Sequence, residues 1–179
     1  SLNISRELLQ HDRQLKLIGA NLEKKVKGEL ERLLRDDREK YESFWQSFGR
    51  QIKLSAMDNY GAKKEMLQDL MLFYSSTEKK LVTLAEYVSR MQEGQKYIYF
   101  ASGDTVDAVD HIPQTELLKE RGMEILYFTD KADEFLSDIL RTYQDKPFRS
   151  ATDGDLDLPG EAEKKEQDDQ QYKDSFAFI

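Results

Sequence analysis

Apolar residues recur at spacings of three and four through the first part of the chain. Leu15, Ile18, Leu22, Val26, Leu30 and Leu33 form one stripe, which predicts an amphipathic helix from about Gln10 to Arg35. Lys24, Lys25, Lys27, Glu29, Glu31 and Arg32 fill its other side and read as a solvated face. Gly19 and Gly28 each oppose this helix by about 1 kcal/mol relative to Ala, which a stripe of this length overrides. Asp36 followed by Glu39 has the spacing of a capping box. A second helix is expected from about Asp37 to Lys53, with Tyr41, Phe44, Trp45, Phe48 and Ile52 on one side. Such an aromatic stripe reads as core, with a partner-binding surface as the alternative. Asn59-Tyr60-Gly61 marks a turn. A third helix, about Lys63 to Leu72, carries Met66, Leu67, Leu70 and Met71 inward.

The pattern then changes. Ser75 to Lys80 reads as a loop, and Thr83 with Glu86 is a capping box that opens a helix to about Met91. Lys96 to Ser102 is aromatic and β-branched, the signature of a buried strand. Gly103-Asp104 ends it and caps a short helix through Val109. Pro113 breaks the chain, Thr115 to Arg121 is helical, and Gly122 stops that helix. Glu124 to Thr129 is a second strand, and Asp130 and Asp133 open a helix to about Tyr143 with Phe135, Leu136, Ile139 and Leu140 inward. Lys146 to Ser150 is a final short strand, which Pro147 places at a sheet edge. Strands alternating with helices imply β-α-β units and a parallel sheet. The expected class is therefore α/β, organised as an all-helical segment over 1–73, a small three-layer α/β unit over 74–150, and an acidic, mobile tail over 151–179.

Charge changes the picture only at the end. The net charge is −8, and the tail holds nine acidic residues against Lys164, Lys165 and Lys173, so six of the eight negative charges lie there. A nearly neutral body with an acidic tail lacks the basic footprint of a general nucleic-acid binder. The absence of cysteine excludes disulfides, thiolate metal sites and a cysteine nucleophile. No apolar run approaches bilayer length and no signal-peptide core is evident, so a soluble, intracellular protein is expected.

Candidate chemistry is sparse. Neither G-x-x-x-x-G-K-[ST] nor G-x-G-x-x-G occurs. Ser102-Gly103-Asp104-Thr105 puts small residues before a helix, as an anion site or simply as a cap. His11 and His111 lack ligand-spaced partners, so no metal site is expected. Asp107 and Asp110 beside His111 resemble a triad fragment without an activated nucleophile. At the start of the chain Arg6 and Gln10 stand four residues apart and share a face if that stretch is helical. An arginine there is either a planar fork for an anion such as a phosphate or one partner of an ordinary salt bridge.

Four blocks carry a family resemblance. Leu2-Asn3-Ile4-Ser5-Arg6-Glu7-Leu8-Leu9-Gln10 resembles L-N-[ILV]-S-R-E-x-L-Q, the catalytic-loop motif of the heat-shock protein 90 molecular chaperones. Tyr41 to Gly49 resembles that family's F-W-x-x-F-G helix. Leu84 to Met91, with Gln95, Ile98 and Tyr99, resembles its L-x-x-Y-V-x-R-M-x-x-x-Q-x-x-I-Y run. Glu124 to Glu134 resembles E-V-L-x-x-T-D-x-x-D-E. The blocks stand in family order and are most similar to bacterial members; the tail after Ser150 matches poorly. Many relatives have a basic residue where Leu72 precedes Phe73, which removes a polar contact from that position.

The resemblance implies the later part of a middle domain: a helical coil followed by a small α-β-α sandwich with a short, mostly parallel sheet. It implies that Arg6 reaches the γ-phosphate of ATP, held with Mg by a separate N-terminal domain. Gln10 completes the hydrolysis site and Asn3 shapes the loop. The implied partners are that ATPase domain, unfolded or partly folded client proteins, and a second copy in a full-length homodimer, with neither nucleic acid nor membrane. The implied location is the cytoplasm. The chain alone is expected to bind no cofactor and to have no ATPase activity. Two rival readings stand beside this one: a stand-alone interaction module without ATPase coupling, and a small phosphate-handling enzyme using Ser102 to Thr105.

Overall fold

The computed structural model describes residues 2–154 and Leu156, with side chains from Arg13 onward except that of Glu134. The expected mobile tail beyond Leu156 lies outside the described residues. The chain divides into two compact units, Ser1–Gly49 and Arg50–Ile179.

The first unit is built on α1 (Leu2–Asp36) and the first half of α2 (Arg38–Gly61). No Gly or Pro interrupts the sequence between Leu2 and Ile18, and the helix begins well before the expected Gln10. The cap between the two helices is Asp37 rather than Asp36: its carboxylate accepts the Lys40 N–H at 3.2 Å. The apolar stripe is helical as expected but is not core. Leu15, Ile18, Leu22 and Val26 are each more than half exposed, while Leu30 and Leu33 are half-buried. Tyr41 and Trp45 are buried, and the Trp45 ring lies where a Cβ at Gly49 would be, 2.7 Å away. Phe48, expected inward, is exposed and stacks on Phe44 at 5.3 Å.

The second unit opens with the rest of α2. Regular helix ends at the expected turn, where Asn59, Tyr60 and Gly61 all take positive φ. A single turn, α3 (Lys64–Leu67), and a 3-10 turn (Gln68–Leu70) replace the longer third helix. The chain then enters β1 (Leu72–Ser75) and returns as β2 (Leu81–Thr83), with the expected loop as the hairpin connection. There follow α4 (Leu84–Ser89), β3 (Ile98–Ser102), α5 (Val106–Asp110), α6 (Pro113–Glu120), β4 (Leu126–Phe128), α7 (Asp133–Leu140), β5 (Thr142–Tyr143) and β6 (Lys146–Ser150). The capping box at Thr83 and Glu86, the stop at Gly122 (φ +71°) and Pro113 at a helix start agree with the sequence.

The sheet order is β2-β1-β4-β3-β6-β5. β3 pairs in parallel with β4 and β6, giving the parallel centre of an α/β fold. The hairpin β1–β2 adds antiparallel strands at one side and β5 at the other. β6 is therefore not the edge that Pro147 suggested; the two-residue β5 takes that place.

Alternation along β3 and β4 divides the core. Tyr99, Ala101 and Tyr127 face α5 and α6, packing with Val109, Leu118, Met123 and Ile125. Ala151 and Leu156 join this cluster, so the fold continues past Ser150. On the opposite face four phenylalanines form a row across four strands. Phe73 stacks on Phe128 at 4.9 Å, Phe128 on Phe100 at 4.7 Å, and Phe148 meets Phe100 edge-on at 6.4 Å. Each such pair contributes about 0.5–1.5 kcal/mol beyond the area it buries.

Polar ties join the layers. Glu124, just before β4, is buried and receives Arg90 Nε at 3.0 Å, Arg90 Nη2 at 2.7 Å and the Ser75 hydroxyl at 2.7 Å. The Tyr87 hydroxyl donates to the Glu124 carbonyl at 2.8 Å and accepts from Gln95 and from the Tyr99 N–H. On the α5–α6 side, Asp110 receives the Tyr127 hydroxyl, Lys119 at 3.0 Å and Lys79 at 3.4 Å. The Tyr127 hydrogen bond first, and the two ammoniums with it, hold the Asp110 carboxyl well below the usual carboxylate range.

Three outcomes follow from this packing. Arg90→Ala leaves Glu124 buried with only the Ser75 hydroxyl and should destabilise the second unit by about 3 kcal/mol, read as a lower urea midpoint at unchanged slope. The stabilisation from Asp110 is present above the ordinary aspartate pKa and is lost as the pH falls below it; Asp110→Asn should flatten the acid limb of stability against pH. The β5–β6 hairpin turns on Gln144 (φ +47°) and Asp145 (φ +61°), where glycine is favoured. Asp145→Gly should raise stability by about 0.5–1 kcal/mol in thermal melts.

Candidate functional site

The opening stretch forms the first turns of α1 rather than a loop. Asn3, Arg6 and Gln10 stand three and four residues apart on this helix and so lie on one face of it. Their side chains, and that of His11, lie outside the described residues.

Ser102 to Thr105 forms the capped helix start that was the plainer of its two readings. The Thr105 hydroxyl accepts the Ala108 N–H at 3.1 Å, the Gly103 N–H donates to the Phe128 carbonyl, and a Cβ at Gly103 would meet Val109 at 2.8 Å. The helix it opens, α5, has only five residues. Near it, His111 is exposed and turns its Nδ1 to the Asp107 carbonyl at 2.8 Å, a bond that with the Asp107 charge raises its pKa. Asp110, at the end of the same helix, is engaged by Tyr127 and two lysines. No nucleophile enters the group, and the described residues contain no cluster able to hold a metal.

The family-like run from Tyr87 to Tyr99 is structural. Tyr87, Arg90, Gln95 and Tyr99 all belong to the buried network around Glu124. The Asp130–Asp133 segment fixes α7. Asp133 accepts the Asp130 N–H at 3.1 Å and pairs with Lys53 at 2.6 Å, both side chains being almost fully buried. Burial pushes the Asp133 carboxyl upward against the pull of Lys53. The Lys53 ammonium also lies 5.1 Å from the centre of the Phe73 ring. At the other end of α7, Lys64 donates to the Ile139 and Leu140 carbonyls at 3.2 and 3.5 Å, satisfying helix-end acceptors. These two lysines were not singled out by the sequence, because each meets a partner in α7 at least 75 positions away.

So held, α7 buries Leu136 and Leu140 and leaves Phe135, expected inward, 65% exposed. The signal was present: 135/139 and 136/140 make two adjacent i, i+4 pairs, a wider arc than a short helix on a sheet can cover. Tyr60, at the left-handed turn, is fully exposed, and Leu54 is half exposed. Trp45 and Phe73 are buried. In the first unit the exposed stripe of α1 runs into a groove lined by Val26, Leu30 and Leu33 together with Lys25, Glu29, Arg32 and Lys40. Among the described residues no helix is long and apolar enough to cross a membrane.

The model of the Hsp90 protein family matches residues 1–179. The chain is 61% identical over 178 residues to the chaperone protein HtpG of Bacillus licheniformis and 56% identical over 178 residues to that of Bacillus subtilis. It is 51% identical over 179 residues to the chaperone protein HtpG of Clostridium acetobutylicum. These alignments cover 98–100% of the chain but only 28–29% of each relative's length. The ordered motifs, the α/β unit they build and these similarities agree: the chain belongs to the Hsp90 protein family.

Proposed function

We propose that this chain is part of the middle domain of an ATP-dependent chaperone. It delivers a trans-acting arginine to ATP bound elsewhere and presents part of the surface that meets client proteins. The observation that carries this reading is the placement of Asn3, Arg6 and Gln10 on one face of α1 in a chain of the Hsp90 family. A guanidinium gives a phosphoryl group two parallel donors and a charge that does not titrate. Brought from another domain, Arg6 neutralises the charge that builds on the transferring γ-phosphoryl oxygens, and Gln10, one turn on, orients within the same site. Asn3 shapes the entry to the helix. ATP with its Mg belongs to the nucleotide-binding domain of the whole protein, so hydrolysis waits for domain docking, and nucleotide state is coupled to closure of a homodimeric clamp. The cytoplasm is the place for such a cycle.

The client-facing part of the proposal rests on the exposed apolar side chains Tyr60, Leu54 and Phe135 in the second unit. Exposed rings on a rigid support suit partly folded chains, which present apolar segments of varied sequence.

In the full-length protein, Arg6→Ala should lower kcat for ATP hydrolysis by roughly a thousandfold or more while the nucleotide Kd changes little. Steady-state turnover and nucleotide titration on the same preparation test this, and unchanged turnover overturns the assignment. The 179-residue chain alone should show no ATPase activity above background.

A further inference from the structure

Both joints of α7 carry a cost. At its start the Lys53 ammonium and the Asp133 carboxylate meet at 2.6 Å, with only 8% and 2% of their side chains exposed. Two ions taken out of water lose much of what their attraction returns, so a buried pair holds a helix less firmly than its closeness suggests. Asp130, in the turn that leads in, accepts the Ala132 N–H at 2.9 Å, and the Arg50 guanidinium stands off from it at 3.7 Å. At the end of the helix Arg141 takes φ +57° and ψ −56°. That is close to the rare γ-turn conformation, which a residue with a Cβ holds only under strain. Arg141 also links two elements. Its N–H closes the helix on the Ser137 carbonyl at 2.9 Å, and its carbonyl accepts the Phe148 N–H at 3.0 Å, joining α7 to the β5–β6 hairpin. Between the joints α7 has eight residues, too few to be stable as a helix by itself. Leu136 and Leu140 are fully buried, and Ile139 seats against Gly61, where a Cβ would come within 2.8 Å of it.

The knot around Glu124 draws on Ser75, Tyr87, Arg90, Gln95 and Tyr99, all of them outside α7. Departure of α7 from its seat therefore leaves the polar ties of the sheet intact. We infer that α7 is a latch: it leaves its seat as one body, turning at Asp130 and Arg141, while the sheet stays folded. Opening returns Lys53 and Asp133 to water and lets the Arg141 backbone relax. Closing gains the burial of Leu136 and Leu140 and the Lys64 bonds to the helix end. With a cost at each joint set against a short apolar seat, docking is a balance that small changes tilt. Docked, α7 is rigid and presents Phe135; released, it takes that ring with it. The latch stands on these contacts alone. Its consequence, control of the client-facing surface, rests on the client-binding reading above.

Native-state hydrogen exchange of the 179-residue chain in low urea tests the latch. The Ser137 to Arg141 amides should exchange through an opening roughly tenfold or more populated than the one that exposes the β3 and β4 amides, and with a much weaker dependence on urea. Two changes should hold the latch shut. Lys53→Met with Asp133→Leu removes both charges at similar volume and should slow the α7 amides roughly tenfold. Arg141→Gly relieves the backbone and should slow them roughly threefold. Amides of α7 that match the strands in both rate and urea dependence overturn the inference, as do two folded variants that exchange no more slowly than the parent. The consequence is read with a fluorescein-labelled, unstructured apolar peptide whose Kd comes from anisotropy. At about ten times that Kd the peptide should slow the α7 amides roughly tenfold in the parent and not in Phe135→Ser. Slow, separate opening of α7 with no effect of the peptide upholds the latch and removes the client contact at Phe135. Binding through Phe135 with α7 exchanging only alongside the strands removes the latch and leaves the client-binding reading.

Discussion

The second unit depends on the burial of one carboxylate. Moving Glu124 out of water costs several kcal/mol unless its oxygens are filled. Here they are filled by the fork of Arg90 and the hydroxyl of Ser75, each from a different element. Arg90 caps the end of α4, Ser75 closes β1, and Glu124 leads into β4. The same knot includes Tyr87, whose hydroxyl donates once and accepts twice, binding α4 to the start of β3. The hairpin, the crossover helix and the parallel centre are therefore fixed in one register. A slip of one residue would strand a charge in the core.

That fixed sheet explains what is exposed. Lysines from α2 and α3 hold α7 at its two ends. A helix so constrained has no freedom to rotate Phe135 inward. The exposed ring is a consequence of satisfied polar groups elsewhere, and it sits on a support too rigid to collapse over it. Under the proposed reading, such a ring stays apolar and solvent-facing until a partner arrives. The first unit shows the same tension along α1, where a long stripe of aliphatic side chains remains in water. The chain spans less than a third of the length of its relatives, and an amphipathic helix of this kind gains most of its stability from what it packs against.

Much of the fold was legible locally. Caps, stops and turns are written in a few adjacent residues, so Thr83 with Glu86, Gly122, and Asn59 with Gly61 were found in place. The strand over Ile98–Ser102 was legible from its aromatic and β-branched content, and those over Leu126–Phe128 and Lys146–Ser150 were also expected. β1 was hidden, because Leu72–Ser75 continues the apolar run of a helical turn and has no sequence break before it. The edge assignment failed because Pro147 constrains its own N–H and says nothing of which strand arrives on the other side. As for the candidate site, Arg6, Gln10 and Asn3 were identified by ordered motifs, and helical spacing then placed them on one face.

The sequence by itself determined the family and the alternation of helix and strand, because each is set by nearest neighbours or by a motif read in order. Tertiary structure alone decided burial and partnership. Lys53 meets Asp133 and Lys64 meets the end of α7 over separations of 75 to 80 residues, and no local pattern encodes such pairs. For the same reason Phe48 and Phe135, apolar and correctly spaced for a core, ended in solvent: a helix offers more apolar arc than one neighbour can cover, and only the packed neighbour chooses which side stays wet.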